Sequence, residues 1–417
     1  MQISHVVQRY YPAISGSELY MQKISELLNE RHEIKVACSN GLDFYSFWNP
    51  NGKKIDERIS IINNVPIYRF PIKYKYFINK FPIIEYKKIK DLLKKISGFR
   101  IPVLDFYNIL INGPYCPDLL RFLLNSDQDI IHSTCFPFST NLFSLITGKL
   151  KGIPTLTTPF FHFSNPRYHD RSLSRLLRYF DKILTCSDLE SKFLKSFSGI
   201  KNIDKKIERI KMGVDLNIFK KAKPKKFRKK FKIWSKPMVL FCGYKNYEKG
   251  AISLLQSLKY TVKVIPDVIY VFIGPSTKGF NITKKGLSKN LREHILNFGV
   301  VPYNNLKVKI NSFAAADIYA MPSRSDAYGI AFLEAFACKK PVIGASIGAT
   351  PEVIRDGFDG LLVPFGKPRV LANSIIKLLS NPKLRNEMGE NGYRRVKNQS
   401  WEHISKKIER IYLSLYD

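Results

Sequence analysis

Short apolar or β-branched runs alternate with amphipathic stretches along most of the chain, and this alternation restricts the fold more than any other feature. The pattern is typical of βα units whose strands form parallel sheets. At about 150 residues per domain, a chain of 417 residues accommodates two or three such domains, and the pattern favours two doubly wound ones. The predicted strands are Ile3–Val7, Glu33–Cys38, Asp129–Ser133, Thr155–Thr158, Ile183–Cys186, Met238–Cys242, Val268–Ile273, Asp317–Met321 and Pro341–Ala345.

The expected domain boundaries follow from charge and helical periodicity. Nine of the thirteen residues from Lys220 to Lys232 are basic and none is acidic, and both this repulsion and Pro224 oppose a packed element. A terminal amphipathic helix is indicated by the apolar spacing of Ile404, Ile408, Ile411 and Leu415. The chain is therefore divided into an N-terminal domain at 1–216, a basic linker at 217–236, a C-terminal domain at 237–399 and a terminal helix at 400–417.

The charge balance indicates an anionic partner. The chain has 68 basic and 34 acidic residues, a formal net charge of +34, which suits nucleic acid, a membrane surface or a phosphorylated substrate. Six scattered cysteines without a C-x-x-C pair argue against a disulfide framework or a zinc site and favour a reducing compartment. The opening residues lack an apolar signal core, and the longest uncharged stretch, Ile130–Gly148, is too polar to span a membrane. We expect a cytoplasmic protein, soluble or peripheral on the cytoplasmic face of the membrane.

Two carboxylates make the segment from Ala316 to Ile354 the most informative. Glu334 is the single carboxylate of an otherwise apolar helix predicted at about 328–338, and an ionised carboxylate is expensive to bury without partners. It must therefore meet a cation or hydroxyl donors, such as those of a hydroxyl-rich ligand. Asp326 lies in the preceding loop, at the strand edge where α/β sheets bind ligands. A plain N-cap for Asp326 and a structural salt bridge for Glu334 remain open alternatives.

Two helix starts are candidate phosphate sites. Ser15 and Glu18 have capping-box spacing, and Gly16 between them would let a ligand oxygen approach free backbone N–H groups. Lys249, beside Gly250, is of the type that neutralises a phosphate. The alternatives are an ordinary capped helix and a solvated lysine. A second turn, from Gly344 to Glu352, predicts a helix capped by Thr350.

Four segments together resemble glycosyltransferase family 4, the retaining sugar-nucleotide transferases of the GT-B fold. They are SDAYGIAFLEAFACKKPVIGASIGATPEVIRDGFDGLLVP, GYKNYEKG, YYPAISGSELY and the IKMGVDLNIF segment. The resemblance implies an α/β fold of two Rossmann-like doubly wound domains facing a central cleft, with the C-terminal helix packing back on the N-terminal domain. It assigns the acceptor to the N-terminal domain and the nucleotide sugar to the C-terminal one.

The resemblance also implies roles for individual residues. Glu334 matches the second glutamate of the family's E-x7-E motif and would bind the ribose, Asp326 would touch the donor sugar, and Lys249 would stabilise the diphosphate. No metal and no cofactor beyond the nucleotide-sugar co-substrate are required. The implied catalytic residues are Asp326, Glu334, Lys249 and His162. The implied donor-binding residues are Gly16, Gly243, Lys245, Lys249, Ser323, Asp326, Tyr328, Gly329, Ile330 and Glu334.

Three positions depart from the family pattern. The first motif position is Asp326, one methylene shorter than glutamate. Tyr244 replaces the diphosphate arginine, so Lys245 is the substitute cation. Thr134 stands where a second histidine often contacts the sugar, which leaves His132, Thr134 and His162 as candidate acceptor or sugar contacts. A lone histidine is more often a satisfied core residue.

The acceptor is predicted from the segment Tyr68–Arg100, which holds ten basic, two acidic and eight aromatic residues. A basic amphipathic helix there would suit an anionic membrane surface, although a domain helix with solvated lysines fits equally well. We therefore expect a retaining, hexosyltransferase-type enzyme that uses a glycan or lipid-linked acceptor at the cytoplasmic membrane face. The alternatives are a catalytically impaired GT-B binding protein for glycan or nucleotide and a basic nucleic-acid scaffold; no nucleic-acid motif is present.

Overall fold

The computed structural model describes residues 1–13, 15–74, 94–96, 98, 101–162, 166–301 and 306–416. The chain forms two compact units. The first comprises 1–211 together with 401–417, and the second comprises 212–400. Most of the basic aromatic segment predicted to dock on membranes, including Lys87, Lys90 and the apolar stripe around Leu92, lies outside the described residues.

The first unit is built around an eight-stranded sheet. Its elements are β1 (Gln2–Val7), α1 (Gly16–Leu28), β2 (Glu33–Ser39), β3 (Ile59–Ile62), β4 (Val65–Phe70), α2 (Val103–Ile111), α3 (Pro117–Asn125), β5 (Ile130–Thr134), α4 (Ser139–Lys151), β6 (Thr155–Thr158), α5 (Arg171–Leu177), β7 (Lys182–Thr185), α6 (Asp188–Phe197) and β8 (Ile207–Arg209). The strand order is β3-β4-β2-β1-β5-β6-β7-β8. All neighbours pair in parallel except β3 and β4. Strands such as β5 are buried at every residue, because helices cover both faces of a parallel sheet.

The second unit contains a six-stranded parallel sheet. Its elements are α7 (Leu216–Lys220), α8 (Pro224–Lys230), β9 (Met238–Cys242), α9 (Ala251–Thr261), β10 (Ile269–Ile273), α10 (Lys278–Lys285), α11 (Lys289–Glu293), β11 (Ile295–Phe298), α12 (Leu306–Ala315), β12 (Ile318–Met321), α13 (Ile330–Ala337), β13 (Val342–Ala345), α14 (Thr350–Val353), β14 (Gly360–Val363), α15 (Pro368–Leu379) and α16 (Pro382–Val396). The strand order is β11-β10-β9-β12-β13-β14. The predicted fold class of two doubly wound α/β domains is confirmed.

Each sheet has a point where the strand order reverses. In the first unit this point lies between β1 and β5, and in the second between β9 and β12. The connections on either side of such a point run in opposite directions, which opens a crevice at the carboxyl ends of the two strands. Open α/β sheets generally bind their ligands at such points.

The final helix, α17 (Trp401–Tyr416), packs on α1 of the first unit. Trp401, Ile404, Ile408 and Tyr412 are its buried large side chains. The predicted return of the C-terminal helix to the N-terminal domain is thus confirmed, although Tyr412 rather than Ile411 continues the buried stripe.

The predicted linker at 217–236 is wrong. Residues 216–220 and 224–230 are the helices α7 and α8, and both belong to the second unit. Pro224 occupies the first turn of α8. Proline is tolerated there because a backbone N–H at that position would have no partner within the helix. Phe219 and Phe227 are buried, and α8 packs on α12. Two buried aromatic side chains therefore outweigh the repulsion between lysines that point into solvent.

Candidate functional site

The reversal point of the second sheet brings the predicted donor motifs together. β9 and β12 are parallel neighbours, with Ile318 opposite Val239 and Tyr319 opposite Leu240. The loop at 243–250 follows β9 and the loop at 322–329 follows β12. Because both loops leave the same edge of the sheet, residues separated by more than seventy positions in the sequence meet there.

Lys249 and Asp326 form an ion pair across these loops. The Lys249 Nζ lies 2.8 Å from Asp326 Oδ2, and both side chains are only partly exposed, so the pair keeps one side open to solvent. Gly250 fixes this geometry, because its φ of 74° favours glycine and a Cβ there would lie 2.1 Å from the Pro322 carbonyl oxygen. The ion pair places a cation and a carboxylate together at the mouth of the crevice. Asp326 is thus a partner of Lys249 and not simply an N-cap.

A second ion pair ties the same two loops together. The Arg324 guanidinium donates two hydrogen bonds of 2.8 Å to the Glu248 carboxylate, and the Arg324 backbone N–H donates to the Glu248 carbonyl at 2.7 Å. Such fork-to-fork pairing holds the geometry more firmly than a single contact. The arrangement of Lys249 and Asp326 is therefore set before any ligand binds.

Glu334 lies on α13, and its cationic partner is Lys309, a residue that the sequence did not identify. Its carboxylate accepts a hydrogen bond from Lys309 Nζ on α12, and its side chain is 8% exposed. Burial alone would lower the pKa of Lys309, but the neighbouring Glu334 carboxylate raises it above its ordinary value. The expected need of Glu334 for a cation is confirmed. Lys309 was missed because nothing in its local sequence sets it apart from the other basic residues of the chain.

The Lys249–Asp326 pair and the Lys309–Glu334 pair both lie near the side chain of Tyr319. Tyr319 lies on β12, and its hydroxyl donates to the carbonyl of Cys242, the last residue of β9, at 3.1 Å. Burial is the main reason that the pKa of Tyr319 is well above its ordinary value, and the negative charges of Glu334 and Asp326 raise it further. Both carboxylates are therefore close enough to the end of β12 to be felt by the same hydroxyl.

Donor groups without protein partners surround this region. The Ser323 and Ser325 hydroxyls are buried and have no hydrogen-bond partner among the residues that the structure describes. Gly329, with a φ of 90°, is the N-cap of α13, and the first N–H groups of a helix have no partner within it. Buried hydroxyls and free helix N–H groups suit the oxygens of an anionic ligand. Tyr328 is buried beside them, and Ile330 begins the helix.

Two predicted donor contacts need correction. The Lys245 side chain is buried, and its Nζ donates to Asn297 Oδ1 and to the Phe298 carbonyl, both at 2.6 Å. Burial, aided by nearby Lys284, lowers the pKa of Lys245 to about 8. Lys245 thus links β9 to β11 and does not replace the missing diphosphate arginine. The Gly243 N–H is also occupied, since it donates to the Ile273 carbonyl at 2.9 Å.

Two predicted helix caps also differ from the structure. Gly16 is the first residue of α1 as expected, but the Ser15 hydroxyl donates to the Glu18 carboxylate instead of capping the backbone. Glu18 pairs with buried Arg9 at 2.8 Å. Burial would raise the pKa of Glu18, but Arg9 and the serine hydroxyls together lower it. Ala349, not Thr350, is the N-cap of α14.

The reversal point of the first sheet contains two unpartnered polar atoms. Thr134 ends β5, and its hydroxyl is buried with no hydrogen-bond partner in the described part of the chain. The Oε1 atom of Gln8, just after β1, is also buried without a hydrogen-bond partner among the described residues. These atoms make the β1/β5 edge the candidate sugar-hydroxyl site of this unit. His162 lies four residues after β6, half-buried, with its ring 5.6 Å from that of Tyr168.

His132 is a core residue, which corrects its prediction as an acceptor contact. Its Nδ1 lies 2.5 Å from the Tyr412 hydroxyl and its Nε2 lies 2.8 Å from Thr158 Oγ1. The Tyr412 hydroxyl also lies 3.1 Å from Nε2 of His5, whose Nδ1 lies 2.7 Å from Ser25 Oγ. Burial lowers the pKa of His5 to about 3 and that of His132 well below its ordinary value. Both rings are therefore neutral and fully engaged within the protein.

The direction of every proton in this chain of hydrogen bonds follows from its last member. The Ser25 hydroxyl donates to the Met21 carbonyl at 2.7 Å, so His5 must donate to Ser25 from Nδ1–H. Nε2 of neutral His5 then accepts from the Tyr412 hydroxyl, whose oxygen must accept from Nδ1–H of His132. Nε2 of His132 accepts from Thr158, which leaves both histidines in the Nδ1–H tautomer.

Comparison with known proteins relates the second unit to one family. Residues 222–395, most of the second unit, match the family described as glycosyl transferases group 1. This part of the chain is therefore similar to that family. A GDP-mannose-dependent monoacylated alpha-(1-6)-phosphatidylinositol monomannoside mannosyltransferase of Corynebacterium glutamicum is 30% identical over 219 residues, which are 50% of this chain and 56% of that protein. A phosphatidyl-myo-inositol mannosyltransferase of Mycobacterium leprae is 31% identical over 176 residues, 42% of this chain and 46% of that protein. The chain spans about half the length of these two relatives.

Similarity over nearly the whole chain is found at lower sequence identity. An uncharacterized glycosyltransferase of Methanocaldococcus jannaschii is 24% identical over 97% of this chain and 96% of its own. The crystal structure of Anabaena HepE in complex with UDP has a TM-score of 0.73 at 16% identity and covers 99% of this chain and 100% of that one. These comparisons, together with the two parallel sheets, establish the GT-B fold.

Proposed function

We propose that the protein is a retaining hexosyltransferase that moves a sugar from a nucleotide-sugar donor to a glycan or lipid-linked acceptor at the cytoplasmic face of a membrane, without a required metal. The donor would bind at the β9/β12 edge and the acceptor would bind the first unit. The observation that carries the proposal is the pairing of Lys249 with Asp326 and of Lys309 with Glu334 around one strand end. Among the described residues, no helix is both long and apolar enough to cross a bilayer.

The charges of the site suit the departure of a nucleoside diphosphate. Negative charge develops on the leaving phosphate oxygen as the bond to the sugar breaks, and a preorganised cation stabilises it strongly. Lys249 supplies that cation, and Asp326 holds its ammonium group in place. The unpartnered hydroxyls of Ser323 and Ser325 and the free N–H groups of α13 add neutral donors for the phosphate oxygens.

The stereochemical proposal is a front-face substitution. The bond from the anomeric carbon to the phosphate oxygen breaks, and the acceptor hydroxyl attacks the same face of the sugar. Its proton passes to the departing phosphate oxygen, so that no protein base is needed. Glu334 would accept hydrogen bonds from the ribose hydroxyls while Lys309 balances its charge. The names of similar proteins support this donor class, because they mention GDP-mannose and bound UDP.

Donor binding and turnover test the proposal. UDP-glucose and GDP-mannose are titrated by calorimetry, and product is detected by mass with the anomeric configuration read by NMR. Lys249→Met should lower turnover about 10²- to 10³-fold, the loss expected for one transition-state donor. Lys339→Met is the control, since Lys339 forms a comparable but exposed pair with Glu390. No binding of any nucleotide sugar, or full turnover in Lys249→Met, would refute the proposal.

A paired substitution separates a ligand role of Glu334 from a structural salt bridge. Glu334→Gln leaves the partly buried Lys309 unpaired and should lower both stability and donor affinity. Lys309→Met combined with Glu334→Gln removes both charges and should restore most of the stability. Donor affinity should stay low in the double variant if Glu334 binds the ribose. Recovery of donor affinity with stability would show that the ion pair is only structural.

A further inference from the structure

The surface around α8 is strongly basic and uncompensated. All nine lysines between positions 220 and 236 are exposed, and this stretch contains no acidic residue. We call it the lysine face; its lysines are Lys220, Lys221, Lys223, Lys225, Lys226, Lys229, Lys230, Lys232 and Lys236. Within the described residues, none of these lysines forms an ion pair with a carboxylate, and the one salt bridge of the stretch joins Arg228 to Asp317. Packing of α8 does not require this charge, because its buried side is carried by Phe227.

The turn after α8 holds a tryptophan in solvent. Trp234 is 57% exposed, and both Lys232 and Trp234 have positive φ angles, of 54° and 48°. Such a backbone is costly for residues other than glycine and persists where surrounding contacts fix it. Here Arg228 fixes it, since its guanidinium donates to the Trp234 carbonyl at 3.0 Å and to the Lys236 carbonyl at 2.9 Å.

Arg228 also ties this turn to the core of the second unit. It donates to the Ala315 carbonyl at 3.0 and 2.7 Å and to the Asp317 carboxylate at 2.8 Å. Ile233, between the two strained residues, is buried. The exposed Trp234 side chain therefore lies on a turn that Arg228 holds against the second unit, and lysines flank it in the sequence.

We propose that the lysine face with Trp234 is a docking surface for membranes that contain anionic lipids. Lysine clusters on a helix attract anionic headgroups, and tryptophan partitions into the membrane interface, where one part of the ring is apolar and the other is hydrated. Lysine supplies positive charge for any anionic surface, whereas bidentate contacts to nucleic-acid bases come chiefly from arginine, asparagine and glutamine. The exposed cations of the surface are all lysines, and residues 220–236 include no asparagine or glutamine. This docking proposal depends on the proposed function in one respect: a lipid-linked acceptor would be the reason for the enzyme to bind a membrane.

Vesicle cosedimentation of the full chain tests this surface. The vesicles contain equal parts of phosphatidylcholine and phosphatidylglycerol, and pure phosphatidylcholine serves as the uncharged reference. Each lysine near an anionic surface contributes about a fivefold factor. Loss of three lysines accounts for about 100-fold, so Lys225→Glu/Lys226→Glu/Lys229→Glu, which also adds three negative charges, should lower the partition coefficient by at least that factor. The matched control is Lys263→Glu/Lys377→Glu/Lys383→Glu, which changes the net charge equally at exposed positions of the same unit and should lower it much less.

Trp234 gives a second readout, because it is the most exposed of the three tryptophans. Its fluorescence should shift to shorter wavelength on mixed vesicles, and Trp234→Phe should remove that shift. Equal losses in the two triple variants, or an unchanged partition coefficient in the α8 variant, would overturn the proposal. So would binding to a DNA duplex, lost in the α8 variant, with no binding to vesicles. Calorimetric titration of the donor on the same samples keeps a failure of donor binding distinct from a failure of docking.

Discussion

Substitution of Tyr412 by phenylalanine is the sharpest test of how the C-terminal helix is held. The Tyr412 hydroxyl donates to Nε2 of His5 and accepts from Nδ1–H of His132, and all three side chains are fully buried. Phenylalanine keeps the ring and its packing but removes both hydrogen bonds. One acceptor and one donor are then left unpaired in the core.

The magnitude follows from those two groups. A buried polar group without a partner costs about 1–3 kcal/mol, so the two together cost about 2–6 kcal/mol. Partial relaxation of the rings favours the lower half of this range, and we expect about 3 kcal/mol. Since a factor of ten corresponds to about 1.4 kcal/mol, the equilibrium for opening of α17 should change by about 100-fold.

Hydrogen exchange measured by mass spectrometry on peptides from 401–416 gives this free energy without assuming that both units unfold together. Tyr416→Phe is the control, because Tyr416 lies on the same helix and is 56% exposed; it should change protection by less than about 0.5 kcal/mol. Long-range ¹H–¹⁵N spectra should also show both His5 and His132 as Nδ1–H tautomers. Equal protection in the two variants, or an Nε2–H tautomer at either ring, would refute the reasoning.

Two further predictions concern stability. The pKa of His5 is about 3 in the folded state against an ordinary value of 6.5, so the unfolded chain binds more protons between these values and the free energy of unfolding falls as pH falls through that window. From pH 7 to pH 5, His5 alone should lower it by about 2 kcal/mol, and urea titrations of His5→Gln should show a correspondingly shallower dependence; an equal slope would contradict the assignment. Gly389 lies on α16, where a Cβ would come within 2.1 Å of the Lys339 carbonyl oxygen. Gly389→Ala should therefore cost about 1–3 kcal/mol in thermal unfolding, whereas Gly286→Ala, whose Cβ would meet no atom closer than 3.6 Å, should not.

Much of the fold was readable from local pattern. All nine predicted strands are present with limits within one residue of those expected, because buried parallel strands are continuous apolar runs. Strands β3 and β4 were missed: Ile59 and Ile61 are exposed at the sheet edge, and Pro66 interrupts the next strand. β8, β11 and β14 were also missed: β8 has only three residues, and β11 is buried at Ile295 alone. The helix α8 was missed because its charge concealed the burial of a single residue, Phe227.

The candidate site was only partly readable. A lone carboxylate in an apolar helix required a partner, and this argument correctly anticipated a cation for Glu334. It did not identify Lys309, because that contact joins two helices far apart in sequence and depends on tertiary packing. Lys245 shows the opposite limit. It follows Tyr244, which stands where the family pattern has its diphosphate arginine, yet the Lys245 side chain turns inward to Asn297. Sequence position does not determine the direction in which a lysine points.

The first unit consists of two stretches of chain, 1–211 and 401–417, with the whole second unit between them. During synthesis on the ribosome, His5 and His132 cannot form their hydrogen bonds with Tyr412 until residues 212–400 have emerged. Until then the His5 and His132 rings lack the hydroxyl that joins them in the complete chain. The second unit is continuous in sequence, and nothing later in the chain is needed to complete its sheet. The order of completion is thus the reverse of the order of translation, and the second unit closes before the first.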